Sequence, residues 1–325
     1  MTSTKSLSVF VGRYGVIGAL IALIIFGALR YDNFLGAFNI LSFVRYNSMF
    51  ALVSLGMAFV IMTGGIDLSV GAVAALGSVV SAIVSPYGMV AGLLAGAGVG
   101  LLAGLLNGLM VTRLKIFPFI ATLAMMLAAK GTALLIAGNQ SVDVDYDSTF
   151  TVLGQGDLLG LPIPAWIAFL CFIAGSIVLN FTEIGRTVLA IGGNEDATRL
   201  MGLPIDRVKL MVYAASGTLA AVAGVILASQ FGAGQPIEGQ GWELFAIAAV
   251  VVGGTSLMGG KGSIGTTLAG VALLGLIFNI LNFENGLGWI SLSAYWQSVV
   301  RGVFLLIVVV LQTRLSARDA QERLG

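Results

Sequence analysis

The amino-acid sequence predicts an all-α polytopic membrane protein with about ten transmembrane helices. Three observations lead there. The 325 residues are 58% hydrophobic and only 10% charged, with a mean hydropathy of +1.02, whereas a water-facing surface takes roughly a quarter charged residues. Apolar runs close to the roughly 20 residues that cross a bilayer as helix recur from Val16 almost to the last residue. Lysine and arginine gather in alternate connections between those runs. A soluble enzyme is excluded as the starting point. The 16 basic and 15 acidic residues leave a net charge of +1, which points to no nucleic acid and no acidic partner. With Cys171 as its single cysteine and no histidine, the chain can form no intrachain disulfide and lacks imidazole metal sites and His-based acid–base chemistry.

The first run, Val16 to Leu29, follows a short polar stretch carrying Lys5 and Arg13. It resembles a signal sequence only superficially: no clear cleavage region follows, many equally apolar runs do, and a retained helix is expected. Later spans are expected near 43–62, 69–85, 88–111, 117–137, 161–180, 208–230, 243–258, 262–283 and 292–312. In "MTGGIDLSVGAV" the region 62–71 reads as either a short hairpin or a break within membrane-embedded helices. Gly64 and Gly65 loosen the chain there, and Asp67 and Ser69 offer acceptors to the free N–H groups of a new helix.

An even number of spans puts both termini on one side. If that side is the cytoplasm, then Lys5, Arg13, Arg113, Lys115, Lys261, the basic residues of 186–209 and those of the C-terminal tail all lie inside. Only Arg30 and Arg45 fall outside, the distribution that the positive-inside rule describes. Segment 138–160 then becomes an external loop. Its Asp143, Asp145, Asp147 and Asp157, unaccompanied by Lys or Arg, serve either solubility at the membrane edge or docking of an external partner.

Glycine supplies 45 residues, roughly twice ordinary usage. Gly92, Gly96, Gly100, Gly104 and Gly108 recur every fourth residue, and Ser216, Ala220, Gly224, Ala228 and Gly232 form a second small-residue ladder. Such faces let another backbone approach closely, so tight helix packing explains both, with a functional sliding surface as the alternative. Lys130 and Arg301 lie in or beside apolar runs and need an interface, a water-filled cavity or a compensating group. Asn107, Asn279 and Gln297 fit a hydrophilic pathway or hydrogen bonds that join helices.

The polar segment "RTVLAIGGNEDATRLMGLPIDRVK", residues 186–209, has a different character. Gly192 and Gly193 permit a compact turn, Asn194 can cap a short helix, and Ala197 and Leu200 fall three apart on one face of it. Gly202 and Pro204 then interrupt that helix. An ordinary connecting loop accounts for part of this pattern. A short helix that receives force from another protein accounts for its size, mixed charge and placement as well.

With these landmarks in place, the sequence resembles the integral-membrane permease subunits of bacterial sugar ABC importers, in the branch of the ribose and galactofuranose permeases. The resemblance rests on "GMAFVIMTGGIDLSVGAV" at 56–73, "LKIFPFIATLAMM" at 114–126, "AIGGNEDATRLMG" at 190–202, "FAIAAVVVGGTSLMGGKGSIGTTLAG" at 245–270 and "YWQSVVRGVFLLIVV" at 295–309. It implies one permease domain over 1–325 with a cytoplasmic coupling region at about 186–208. Within 192–203, Asn194, Glu195, Arg199 and Gly202 match the family's ATPase-facing element. Gly64, Gly65, Asp67, Ser69 and Gly71 belong to a signature beside the central transport helices, and neither motif makes its residues catalytic.

What the resemblance implies about partners is specific: sugar as substrate, an external or periplasmic sugar-binding protein, a cytoplasmic ABC ATPase, and an identical or related permease subunit, in a bacterial cytoplasmic (inner) membrane with both termini cytoplasmic. The chain itself is expected to hold no cofactor. "GGTSLMGGKG" is only a decoy for a phosphate-binding loop, since its first glycine is misplaced and Gly262 follows Lys261 where Ser or Thr should bind magnesium. ATP and magnesium are therefore expected in the partner ATPase. Asn107, Trp242, Asn279 and Gln297 are candidates for the substrate path, although Trp242 also suits a bilayer-interface anchor. An ion-coupled secondary transporter or a nontransporting membrane scaffold would share the apolar topology.

Overall fold

The computed structural model of the chain describes residues 3–286 together with 296, 299, 302 and 303, and side chains from residue 15 onward. In chain order the described helices are α1 (Ser3–Arg30), α2 (Ala37–Met62), α3 (Val70–Val84), α4 (Met89–Thr112), α5 (Pro118–Ile136), α6 (Val152–Gln155), α7 (Ile163–Phe181), α8 (Glu183–Gly193), α9 (Glu195–Leu200), α10 (Ile205–Phe231), α11 (Trp242–Val252) and α12 (Ile264–Gly286). Strand content is small. Two-residue strands β1 (Val142–Asp143), β2 (Asp157–Leu158), β3 (Leu161–Pro162) and β4 (Ala233–Gly234) form two antiparallel ribbons, β1 with β4 and β2 with β3. The chain is an all-α polytopic membrane protein: seven described helical segments are long and apolar enough to cross a bilayer.

Those seven segments fall where the apolar runs place them. The expected span at 292–312, which contains Gln297 and Arg301, lies outside the described residues except for helical positions at 296, 299, 302 and 303. One expected span is corrected. The run at 243–258 is not a full span, because α11 has only 11 residues, roughly 16 Å of helix. Gly254, Gly259 and Gly260 take positive φ angles of 85°, 83° and 74°, a backbone that an α-helix excludes and that glycine adopts without a Cβ clash.

α10 is the axis of the bundle, packing against α2, α3 and α4. Its contact with α4 uses the first glycine ladder. A Cβ on Gly100 would overlap the Gly217 carbonyl oxygen, and a Cβ on Gly217 would overlap that of Gly100. Further along the same antiparallel contact, Gly104 meets Tyr213 and Ala214, and Gly108 meets Leu210. The second ladder faces other neighbours: Ser216 lies against Gly56 of α2 and Gly224 against Ala74 of α3. Small residues on two faces thus let three helices close on one, an arrangement in which packing replaces the hydrophobic effect that lipid removes.

The region 62–71 is a hairpin connection. α2 descends along α10 so that Gly56 meets Ser216 and Gly65 meets Tyr213, whereas α3 rises antiparallel to α4, with Ser69 beside Asn107 and Gly77 beside Gly96. Thr63 closes α2 by donating its hydroxyl to the Val60 carbonyl at 2.7 Å. The polar connection therefore ends inside the bundle rather than beyond it.

Candidate functional site

Asp67 sits in that connection and is fully buried. A carboxylate without water needs donors, and it has three. Its Oδ1 accepts from the Ser69 backbone N–H at 3.0 Å and from the Ser69 hydroxyl at 2.6 Å, and its Oδ2 accepts from the Ser216 hydroxyl at 2.9 Å. Asn107 on α4 donates to Ser69 Oγ at 2.9 Å. Asp67 thus accepts the N–H that opens α3, as its side chain suggested. Ser69 does not: its hydroxyl is turned to Asp67 and caps nothing. Among the described residues no cation pairs with Asp67, and Asn107 Oδ1 and the Tyr213 hydroxyl are buried without a partner. The node fastens α2, α3, α4 and α10 at one point.

The segment 183–209 lies at the same end of the bundle. Thr182 caps α8 by accepting from the Gly185 N–H at 3.3 Å, and Val188 and Ile191 bury the apolar face of the helix. The expected turn at Gly192–Gly193 is absent, because α8 runs through both residues. Glycine at 192 serves contact instead. A Cβ there would overlap the Met62 carbonyl oxygen and the Gly260 nitrogen and lie 2.9 Å from Gly259 Cα. The Gly260 N–H donates to the Met62 carbonyl at 3.0 Å. The ends of α2 and α8 and the α11–α12 connection therefore meet backbone to backbone at Met62, five residues before Asp67.

α9 begins as its sequence predicts, with Asn194 Oδ1 accepting from the Ala197 N–H at 2.9 Å, and it ends where Gly202 turns to a φ of 76°. Charges lock it in place. Glu195 accepts from Lys209 at 2.6 Å and from Arg199 at 3.3 Å, Arg199 lies 4.0 Å from Asp206, and Asp206 pairs with Lys115 at 3.3 Å. The chain of ion pairs ties α9 to the start of α10 and to the α4–α5 connection. Partial desolvation works to raise the Glu195 pKa, but the hydrogen bonds and charges of Lys209 and Arg199 prevail and hold it below the ordinary carboxylate value. Beyond this network, Leu200 and Met201 are 90% and 74% exposed. Two bare apolar side chains at the tip of a charge-fixed helix form a small apolar knob.

A cavity of about 360 Å³ opens between α2, α11 and α12, walled by Tyr46, Asn47, Phe50, Phe245, Phe278 and Asn279 among others. Aromatic rings beside amides suit a polyol with both apolar and hydroxyl faces. Trp242 is buried one layer behind, its ring centroid 5.0 Å from that of Phe50. Asn279 exchanges hydrogen bonds with Asn39 at 2.9 and 3.3 Å.

The structure thus separates the substrate-path candidates. Asn279 is in the cavity wall, Trp242 lies behind it, Asn107 joins Asp67 and Ser69 in the node, and Gln297 lies outside the described residues. Gly65 and Gly71 are packing positions, against the Tyr213 hydroxyl and the Gly239 carbonyl respectively, while Gly64 turns at a φ of 79°. Ser216, Lys209 and Asp206 were not expected at these sites. Ser216 reads as one more small residue of a ladder, and only the paired charges around α9 hint at the other two.

Residues 39–309 match the family described as "Branched-chain amino acid transport system / permease component". The ribose import permease protein of Bacillus subtilis (strain 168) is 43% identical over 94% of this chain and 94% of its own. That of Escherichia coli (strain K12) is 38% identical over 91% and 92%. The L-arabinose transport system permease protein of Escherichia coli (strain K12) is 39% identical over 92% and 89%. No solved structure matches the chain.

Proposed function

Because the chain belongs to the branched-chain amino acid transport system permease component family, we propose that it is the membrane-spanning subunit of an ATP-dependent carbohydrate importer. The family description mentions amino acids, the relatives pentoses. The relatives carry more weight, since they share 38–43% of their residues with this chain over nine-tenths of its length. The subunit is a transport component rather than an enzyme. It would stand in the bacterial cytoplasmic membrane with its termini inside, paired with an identical or related permease. An external sugar-binding protein would dock on the side of residues 138–160, and separate ATPase chains, holding ATP and magnesium, on the side of α9.

The observation that carries the coupling role is α9 itself. Leu200 and Met201 present an apolar knob that a groove on the ATPase would take up. Displacement of the knob would be handed to α10 through Glu195 and Lys209, and to the α4–α5 connection through Asp206 and Lys115. At Gly192 the same displacement would press directly on Met62 and Gly260, with no flexible side chain between them to absorb it. Asn194, Glu195, Arg199 and Gly202 are the residues that keep α9 short and rigid.

An ion-coupled secondary transporter is the second reading, and the buried Asp67 is the observation in its favour. Uptake by proteoliposomes separates the two. The importer takes up labelled ribose or L-arabinose only with its binding protein, its ATPase and ATP present. Uptake driven by an imposed ion gradient without the ATPase would overturn the proposal.

A further inference from the structure

A second, ionisable cavity of about 170 Å³ lies between α5 and the 235–243 segment, lined by Lys130, Glu238, Gln240 and Glu243 together with apolar residues of α3 and α5. Resting on the importer reading above, we propose that this cavity is one wall of the water-filled sugar pathway. Its open side is where a second permease subunit would stand.

Depth is the first argument. The chain after α10 does not stay at the end of the bundle but turns back along α3: Gly234 packs on Ser78 and Ala82, and Gly239 packs on Gly71. Gly71 is thirteen residues from the end of α3 at Val84, so Gly239 lies roughly 20 Å in from that end. Glu243 is equally deep, since a Cβ on Gly71 would stand 2.8 Å from its Oε2. Non-helical backbone at such depth is tolerated only where it is buried in protein or lines water. Here Ile237, Glu238 and Gln240 are exposed.

Charge is the second argument. Among the described residues α5 packs chiefly on α3 and α4, and its remaining surface is largely exposed. On that surface stands Lys130, exposed and six residues before Ile136, roughly 9 Å below the helix end. Among the described residues Lys130, Glu238 and Glu243 make no ion pair. Lipid does not tolerate unpaired charges of both signs at this depth, whereas water does. An ammonium, two carboxylates and an amide also offer the donors and acceptors that sugar hydroxyls require. The cavity is too small to enclose a ligand on all sides, as expected of one wall.

The test uses the complete importer in proteoliposomes, with Cys171→Ser as background and Lys130→Cys, Glu238→Cys or Leu170→Cys added. Leu170 is exposed on α7 among apolar residues and serves as the lipid-facing control. A membrane-impermeant, charged thiol reagent is applied to both faces. We expect loss of the free thiol at 130 and 238 but not at 170, and protection of both by excess ribose or L-arabinose, whichever the importer transports. Thiols at 130 or 238 that stay as inert as that at 170, as for a lysine reaching up to the interface, would overturn the proposal. So would labelling that a transported sugar leaves unchanged. If the background importer takes up neither pentose while both positions label, the choice of a pentose as substrate fails and the water-filled wall stands.

Discussion

Gly192→Ala adds one methyl group at the point where α8 meets α2 and the α11–α12 connection. The added carbon would fall inside van der Waals contact with the Met62 carbonyl oxygen and the Gly260 nitrogen, and 2.9 Å from Gly259 Cα. All three are backbone atoms, so relief requires moving helix ends rather than rotating a side chain. Overpacking of this kind costs about 1–3 kcal/mol. Stretching the 3.0 Å Gly260–Met62 hydrogen bond removes up to about 1 kcal/mol more. The gain in helix propensity returns less than about 1 kcal/mol at a helix end, leaving a net destabilisation of roughly 1–3 kcal/mol. Gly193→Ala is the matched control, one residue on in the same helix, where an added Cβ meets nothing within 4 Å. Denaturant unfolding of the two variants in one detergent should show Gly192→Ala less stable than wild type and Gly193→Ala equal to it or slightly better. Equal midpoints for the two would refute the three-way contact and with it the direct route from α8 to α2.

Three further outcomes follow from the same geometry. Gly100→Leu forces a branched side chain against Gly217 and Ala221, so folded protein should be lost from detergent, at a cost of about 3 kcal/mol or more, while Gly98→Leu, with open space around it, should keep its yield. Ser216→Ala removes one donor from the buried Asp67 carboxylate and should lower stability by about 1.5–3 kcal/mol, measured by the same unfolding assay; an unchanged midpoint would show that the bond is not formed. Because the Glu195 pKa is depressed, its ion pair with Lys209 contributes above the ordinary carboxylate range and is lost as pH falls through the lowered value. ATPase docking measured by co-sedimentation should therefore be flat around neutral pH and weaken only in strong acid, and Glu195→Gln should abolish that acid-dependent step.

Spans were the most legible part of the sequence, because a helix in lipid needs about 20 apolar residues and little else. The glycine ladders were equally plain, since close approach of backbones leaves a fixed period of four; that the two ladders use different faces of α10 was not visible, because no period says which neighbour fills a groove. α11 misled for a physical reason: "VVVGGTSLM" keeps its hydropathy across Gly253 and Gly254, whereas the helix stops where the backbone turns. Capping by Asn194 and the stop at Gly202 were readable as local chemistry. Gly192 was misread as a turn because a glycine needed for contact and one needed for a positive φ look alike in sequence. Asp67, Ser69, Ser216 and Asn107 are separated by up to 149 positions, and only the packing of four helices brings them together. Leu200 was readable only as part of a short helix face with Ala197, and Met201 gave no signal, as apolar residues are unremarkable in so apolar a chain.

The central claim is that ATP turnover on separate chains reaches the membrane through α9. Its most direct measurement is the ratio of sugar taken up to ATP hydrolysed by the reconstituted importer, wild type against the Glu195→Ala, Arg199→Ala double variant, at matched protein amount and bilayer orientation. These side chains are 40% and 51% exposed and contribute little to stability, so insertion should be intact and the ratio should fall as α9 loses its lock on α10. Normal partner binding together with an unchanged ratio would contradict the claim.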